Sequence, residues 1–139
     1  VDRENVVHYH AKEETGPAEW RRMVYLFKIR VEQDAVFGVF DCPDGNQAIP
    51  SRSRSTTPLQ ALNLFNSNFI LGQASKLAGR LEKESGKDAV GQAQRAFHLF
   101  YSRAATHDEV RDAVDFIKAH SLRDFCRAMF NTNEFLFNF

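Results

Sequence analysis

The sequence predicts a mostly α fold, with five or six helices packed as an irregular bundle with one long ordered loop. Three observations predict it. Apolar residues recur with a helical period of about 3.6 in five separate segments. All four prolines fall at or before Pro58, which leaves the second half free to be helical. Strand-like alternation is confined to short stretches near Val6, Val36 and the C-terminus.

Residues 1–16 are polar apart from Val6, Val7 and Tyr9 and read as an entry segment. From Pro17 a helix is predicted over 17–31, because Trp20, Met23, Val24, Phe27 and Val31 fall on one face. Pro17 suits its first turn, where a missing N–H costs nothing. Residues 32–57 carry no sustained helical pattern. The patch Val36-Phe37-Gly38-Val39-Phe40 runs into Asp41-Cys42-Pro43-Asp44-Gly45-Asn46, which is dense turn chemistry. A loop of that length inside a domain is functional or disordered, and its aromatic start favours an ordered loop anchored on the core.

The span 58–139 is the helical bundle. Thr57-Pro58-Leu59-Gln60 is a helix start, with Thr as cap, Pro in the first turn and Gln placed for a capping box. That helix runs to about Phe65, and Asn66-Ser67-Asn68 breaks and recaps the chain. The next carries Ile70, Ala74, Leu77, Ala78 and Leu81 on one face and ends near Gly86. Gly72 and Gly79 inside it either admit a close neighbour or are tolerated surface glycines. Asp88 caps a third helix with the stripe Val90, Ala93, Phe97, Phe100 and Ala104. Thr106 and Glu109 open a fourth by a capping box, and Ser121 begins the last, with Leu122, Phe125, Cys126, Met129 and Phe130 in phase. The tail Phe135–Phe139 either continues that helix or runs extended. The whole of 1–139 reads as a single helical domain or as the C-terminal fragment of a larger one, since it starts at Val1 with no signal segment.

Charge and composition narrow the function. Eighteen basic and eighteen acidic residues cancel, which argues against a dedicated nucleic-acid binder. At 43% hydrophobic and 26% charged the composition is that of a globular domain, and no apolar run is long enough to span a bilayer. Cys42 and Cys126 make no CxxC, CxxCH or zinc-type spacing, so neither covalent haem nor structural zinc is expected in this chain. Whether the two cysteines bond is open. His8 and His10 lack a third ligand nearby, and His98, His107 and His120 are isolated.

The candidate site is the loop. Asp41 and Asp44 could act as paired carboxylates or hold backbone N–H groups and an arginine. Arg52 and Arg54 stand just before the helix start that Thr57 caps, where helix N-termini attract anions. Two uses follow for Asp41, Asp44, Arg52, Arg54 and Thr57: an anion site, or an internal clamp that fixes the loop. The expected arrangement is the clamp, with Arg54 paired to Asp41 and Arg52 left for an anion.

Four runs carry a family resemblance: Gly16-Pro17-Ala18-Glu19-Trp20-Arg21-Arg22-Met23-Val24-Tyr25, Phe40-Asp41-Cys42-Pro43-Asp44, Arg54-Ser55-Thr56-Thr57-Pro58-Leu59-Gln60-Ala61-Leu62-Asn63-Leu64, and Phe130-Asn131-Thr132-Asn133-Glu134-Phe135-Leu136. Together they resemble the C-terminal region of the planctomycete PSD-type family, a domain of unknown function, from about Gly16 to the end. The resemblance implies a large exported parent protein, periplasmic or at the cell surface. In such parents this domain follows cytochrome-c-like domains and sometimes accompanies carbohydrate-binding modules. Haem c would then belong elsewhere in the parent, and no catalytic residue carries over. Family members often have Ala at the position of Cys42.

The expected function is therefore a non-catalytic helical interaction or structural module. Its partners would be other domains of the parent chain, or a second copy meeting it through exposed apolar surface. The alternatives are part of an enzyme acting on polysaccharide, with the 41–54 loop contributing to a site completed upstream, or an anion- or glycan-binding module.

Overall fold

The computed structural model describes residues 16, 22–25, 38–41, 50–51 and 55–137. Among the described residues there are six α-helices, two short 3-10 turns and no strand, so the fold is mostly α as the periodicity predicts. The chain divides into two compact units, Val1–Gln60 and Ala61–Phe139. In the first, Met23–Tyr25 and Gly38–Phe40 each make one 3-10 turn. Of the helix expected over 17–31, only Arg22–Tyr25 lie among the described residues, and there the turn is 3-10 with Val24 78% exposed.

Helix α1 (Pro58–Asn66) begins in the first unit and continues into the second. The second unit then holds α2 (Asn68–Ser85), α3 (Ala89–Tyr101), α4 (His107–Ala119), α5 (Leu122–Met129) and α6 (Asn133–Leu136). Capping side chains set where four of these begin, because each helix start leaves free N–H groups that a short polar side chain can satisfy. Ser67 accepts from Ile70 N–H, Asp88 from Val90 and Gly91 N–H, and Ser121 from Asp124 N–H. Thr106 and Glu109 form the reciprocal capping box that their spacing predicts.

The core joins α2 through α5. Ala74, Ala78 and Leu81 of α2, Ala93, Ala96 and Phe97 of α3, Ala113 of α4, and Leu122, Phe125, Cys126 and Met129 of α5 are buried together. Alanines on α2 and α3 bring those backbones close, and α5 supplies the bulk that fills the space between them. Fully burying a side chain such as Leu81 stabilises by roughly 1.5–3 kcal/mol. Phe100, Phe130 and Phe135 meet edge to face at centroid distances of 4.9–5.3 Å, beside the core rather than within it.

Two sequence expectations change, and one open alternative is decided. Ala104 lies beyond α3, which stops at Tyr101 because Ser102 takes a left-handed φ of 57°. The tail neither continues α5 nor runs extended over 133–136; a turn at Phe130–Thr132 separates α5 from α6. That turn forms because the Asn131 and Thr132 N–H groups bond carbonyls only three residues back, on Ala128 and Met129. Gly72 and Gly79 admit no close neighbour, since a Cβ at either would meet nothing within 4 Å. They are tolerated glycines.

Candidate functional site

The junction between the loop and α1 is built from Val39, Asp41, Ser55, Thr57 and Gln60, all in the first unit. The 3-10 turn Gly38–Phe40 delivers Asp41 in a left-handed conformation, φ 54°, which an aspartate tolerates better than most residues. Its carboxylate accepts the Ser55 N–H at 2.6 Å, and the Ser55 hydroxyl lies 2.9 and 2.8 Å from Oδ1 and Oδ2. One side chain thus closes a 14-residue excursion of the chain.

Gln60 completes the junction. Its Oε1 accepts from Thr57 N–H at 3.2 Å while its own N–H donates to Thr57 Oγ1 at 3.3 Å, a capping box with glutamine in the third place. The other end of the same amide, Nε2, donates to the Val39 carbonyl at 2.9 Å and to Ser55 Oγ at 3.0 Å. Gln60 is only 9% exposed, so its amide needs these partners, and it has them on both sides. Donors and acceptors therefore run in one direction, from Gln60 to Ser55 to Asp41. Such a chain orders a loop because each bond polarises the next.

Its chemistry is structural. A nucleophilic serine needs a base that can take its proton near neutral pH. Here the Ser55 hydroxyl accepts from an amide and donates to a carboxylate, both of which are occupied in holding the loop. Among the described residues no three His, Cys, Asp or Glu side chains gather as metal ligands. The pairing expected between Arg54 and Asp41 lies outside the described residues, as do Asp44, Arg52 and Cys42. Asp41 and Thr57 both belong to the junction of the loop with α1. Ser55 and Gln60 were not foreseen as the tie, although the Thr57-to-Gln60 spacing already signals the cap.

Two arginines also escape sequence reasoning. Arg103, just past α3, makes paired bonds to Glu109 at 2.9 and 2.7 Å and to Glu134 at 2.6 and 2.8 Å. Its guanidinium also sits 5.4 Å from the centroids of both Phe97 and Tyr101. These bonds, with the Thr106 N–H, hold the Glu109 carboxyl down at about 2, and Arg103 likewise lowers Glu134. Arg127 of α5 donates to the Phe65 carbonyl at 2.7 Å and lies 4.2 Å from the Phe65 ring centroid. Asn131 reaches the Leu64 carbonyl at 3.2 Å. The end of α1 is thus capped from α5, a long-range arrangement that local spacing does not encode.

Cys126 is a free thiol, fully buried, and burial pushes its pKa up to about 12.

A family model matches residues 2–117 and is described as PSD1, a protein of unknown function (DUF1553). No curated protein and no solved structure matches the chain. The matched span begins earlier than Gly16 and stops before the run 130–136. It contains the whole junction from Val39 to Gln60, all of α1, α2 and α3, and most of α4. The chain belongs to the PSD1 family, whose members are proteins of unknown function.

Proposed function

We propose that this chain is a non-catalytic helical module whose role is to pack against other parts of its parent protein. The observation that carries this reading is the closed junction: Asp41, Ser55, Thr57 and Gln60 spend their polar atoms on one another and on the backbone. A reaction or anion site would leave such groups aimed at an open space. The exposed face of α1 supports the same reading. In the second unit Leu62 and Phe65 are 57% and 46% exposed, and α1 carries no charged residue. Contiguous exposed apolar surface marks an interaction site more often than a solvated one.

The finer setting is also part of the proposal. The parent is taken to be an exported planctomycete protein, located in the periplasm or at the cell surface. Any haem c belongs to its cytochrome-like domains, and this chain holds no cofactor of its own.

The test uses the α1 face. Leu62→Asp should leave the thermal midpoint of the chain nearly unchanged, since Leu62 is already exposed. The same substitution should weaken binding of this chain to the rest of the parent, supplied as a separate polypeptide, by tenfold or more on the order of a lost interface anchor. Equal binding by both chains, or no binding by either, overturns the reading.

A further inference from the structure

We propose that α6 is a strap, docked in cis over the aromatic face of Phe100, Tyr101 and Phe130, that opens locally while the α2–α5 core stays folded. Four observations meet at this segment. A helix of four residues, Asn133–Leu136, has almost no stability of its own, because nucleation costs more than one or two hydrogen bonds return. Its N-cap residue Thr132 makes no capping bond; the hydroxyl instead bonds the Met129 carbonyl at 2.8 Å and lies 2.7 Å from the Tyr101 hydroxyl. The helix therefore depends on what it docks against.

Among the described residues that docking includes an apolar and an ionic part. Phe135 lies edge to face against Phe100 at 5.2 Å and against Phe130 at 5.3 Å. Glu134 is held by Arg103 through two bonds of 2.6 and 2.8 Å. Both parts stay within reach of solvent, with Glu134 47% and Phe135 41% exposed, so each stabilises less than a buried contact would. Arg103 divides its guanidinium between Glu109 and Glu134. Losing Glu134 leaves the Arg103–Glu109 pair intact, so α6 can lift without undoing the start of α4.

Among the described residues the buried core of this unit lies before α6, and Leu122, Phe125, Cys126 and Met129 are the last of it along the chain. The strap thus forms a separate layer, and opening it uncovers the half-buried rings of Phe100 and Phe130 without exposing that core. Segments with few buried contacts and exposed backbone bonds are the ones that open at free energies below global unfolding.

Hydrogen exchange on the full chain tests this. The amides of Phe135, Leu136 and Phe137, bonded to Thr132 and Asn133 carbonyls, are followed beside those of Ala78 and Leu81 in α2. The strap amides should exchange about 100-fold or more faster than the α2 amides. Raising salt, or Glu134→Gln, should speed the strap amides several-fold again and leave the Ala78 and Leu81 amides unchanged, because the exposed Arg103–Glu134 pair holds the strap whereas these two residues are fixed by burial in the core. Phe135→Ala should also speed the strap amides and keep their response to salt, because the Arg103–Glu134 pair remains, whereas Glu134→Gln should remove that response. Exchange of strap and core at one common rate overturns the proposal. So does a strap rate that changes with protein concentration, which would place α6 on a second copy instead.

Discussion

Gln60, in the first turn of α1, hydrogen-bonds the carbonyl of Val39, 21 positions earlier in the chain, at 2.9 Å. The same amide closes the capping box with Thr57. One buried side chain therefore does two jobs that are usually separate: it starts a helix and anchors the loop that precedes it. Replacing Gln60 with Ala removes both and leaves the Val39 carbonyl without this donor, at a cost of about 1–3 kcal/mol. Thr57→Ala removes the cap alone and should cost about 1 kcal/mol. Denaturant titration of the two variants checks the order, and a larger effect for Thr57→Ala would show that the anchor contributes little.

Glycines separate into two kinds on α2. Gly79 sits in the helix interior, exposed, with open space where a Cβ would go. Gly79→Ala should stabilise by about 1 kcal/mol. Gly86 ends the helix at φ 62° and ψ −140°, a conformation costly for any residue with a side chain. Gly86→Ala should destabilise by about 1–3 kcal/mol although it too meets nothing. Opposite signs in thermal melts are the expected outcome, and equal signs would contradict it.

Acid should loosen the Arg103 cluster. Glu109 titrates at about 2 in the folded chain, against an ordinary value of 4.5, and Glu134 is lowered as well. A folded carboxyl below its unfolded value stabilises fully above the unfolded pKa and loses that contribution as pH falls toward the folded one. The melting temperature should therefore drop between about pH 4.5 and pH 2. Glu109→Gln should flatten that part of the profile. A variant with the wild-type slope would mean that the Glu109 pair with Arg103 does not contribute.

Local chemistry explains what was legible beforehand. Ser67, Asp88, Thr106 and Ser121 each stand beside the N–H groups they cap, so a few residues of sequence determine each helix start. The apolar stripes of α2 and α5 read directly for the same reason. The end of α3 was less legible, because Ser102 turns left-handed where Arg103 must reach Glu109 and Glu134, partners 6 and 31 residues away. The site divides in the same manner. The Thr57–Gln60 box lies within four residues and is visible in their spacing, whereas the bonds from Asp41 to Ser55 and from Gln60 to Val39 depend on how the chain folds back. Two acids and two arginines nearby drew attention to charge, but the ties seen among the described residues are a serine and a glutamine.

The central claim is that the loop–helix junction is a closed clamp, and a double-mutant cycle on Asp41→Ala and Ser55→Ala measures it most directly. The account predicts that each single variant lowers stability and that the two are non-additive, with a coupling of about 0.5–1.5 kcal/mol, because either change removes the same hydroxyl–carboxylate bond. Additive effects near zero would contradict the clamp, and stabilisation of the wild-type chain by sulfate that disappears only in Arg52→Ala would point to an anion-binding role instead.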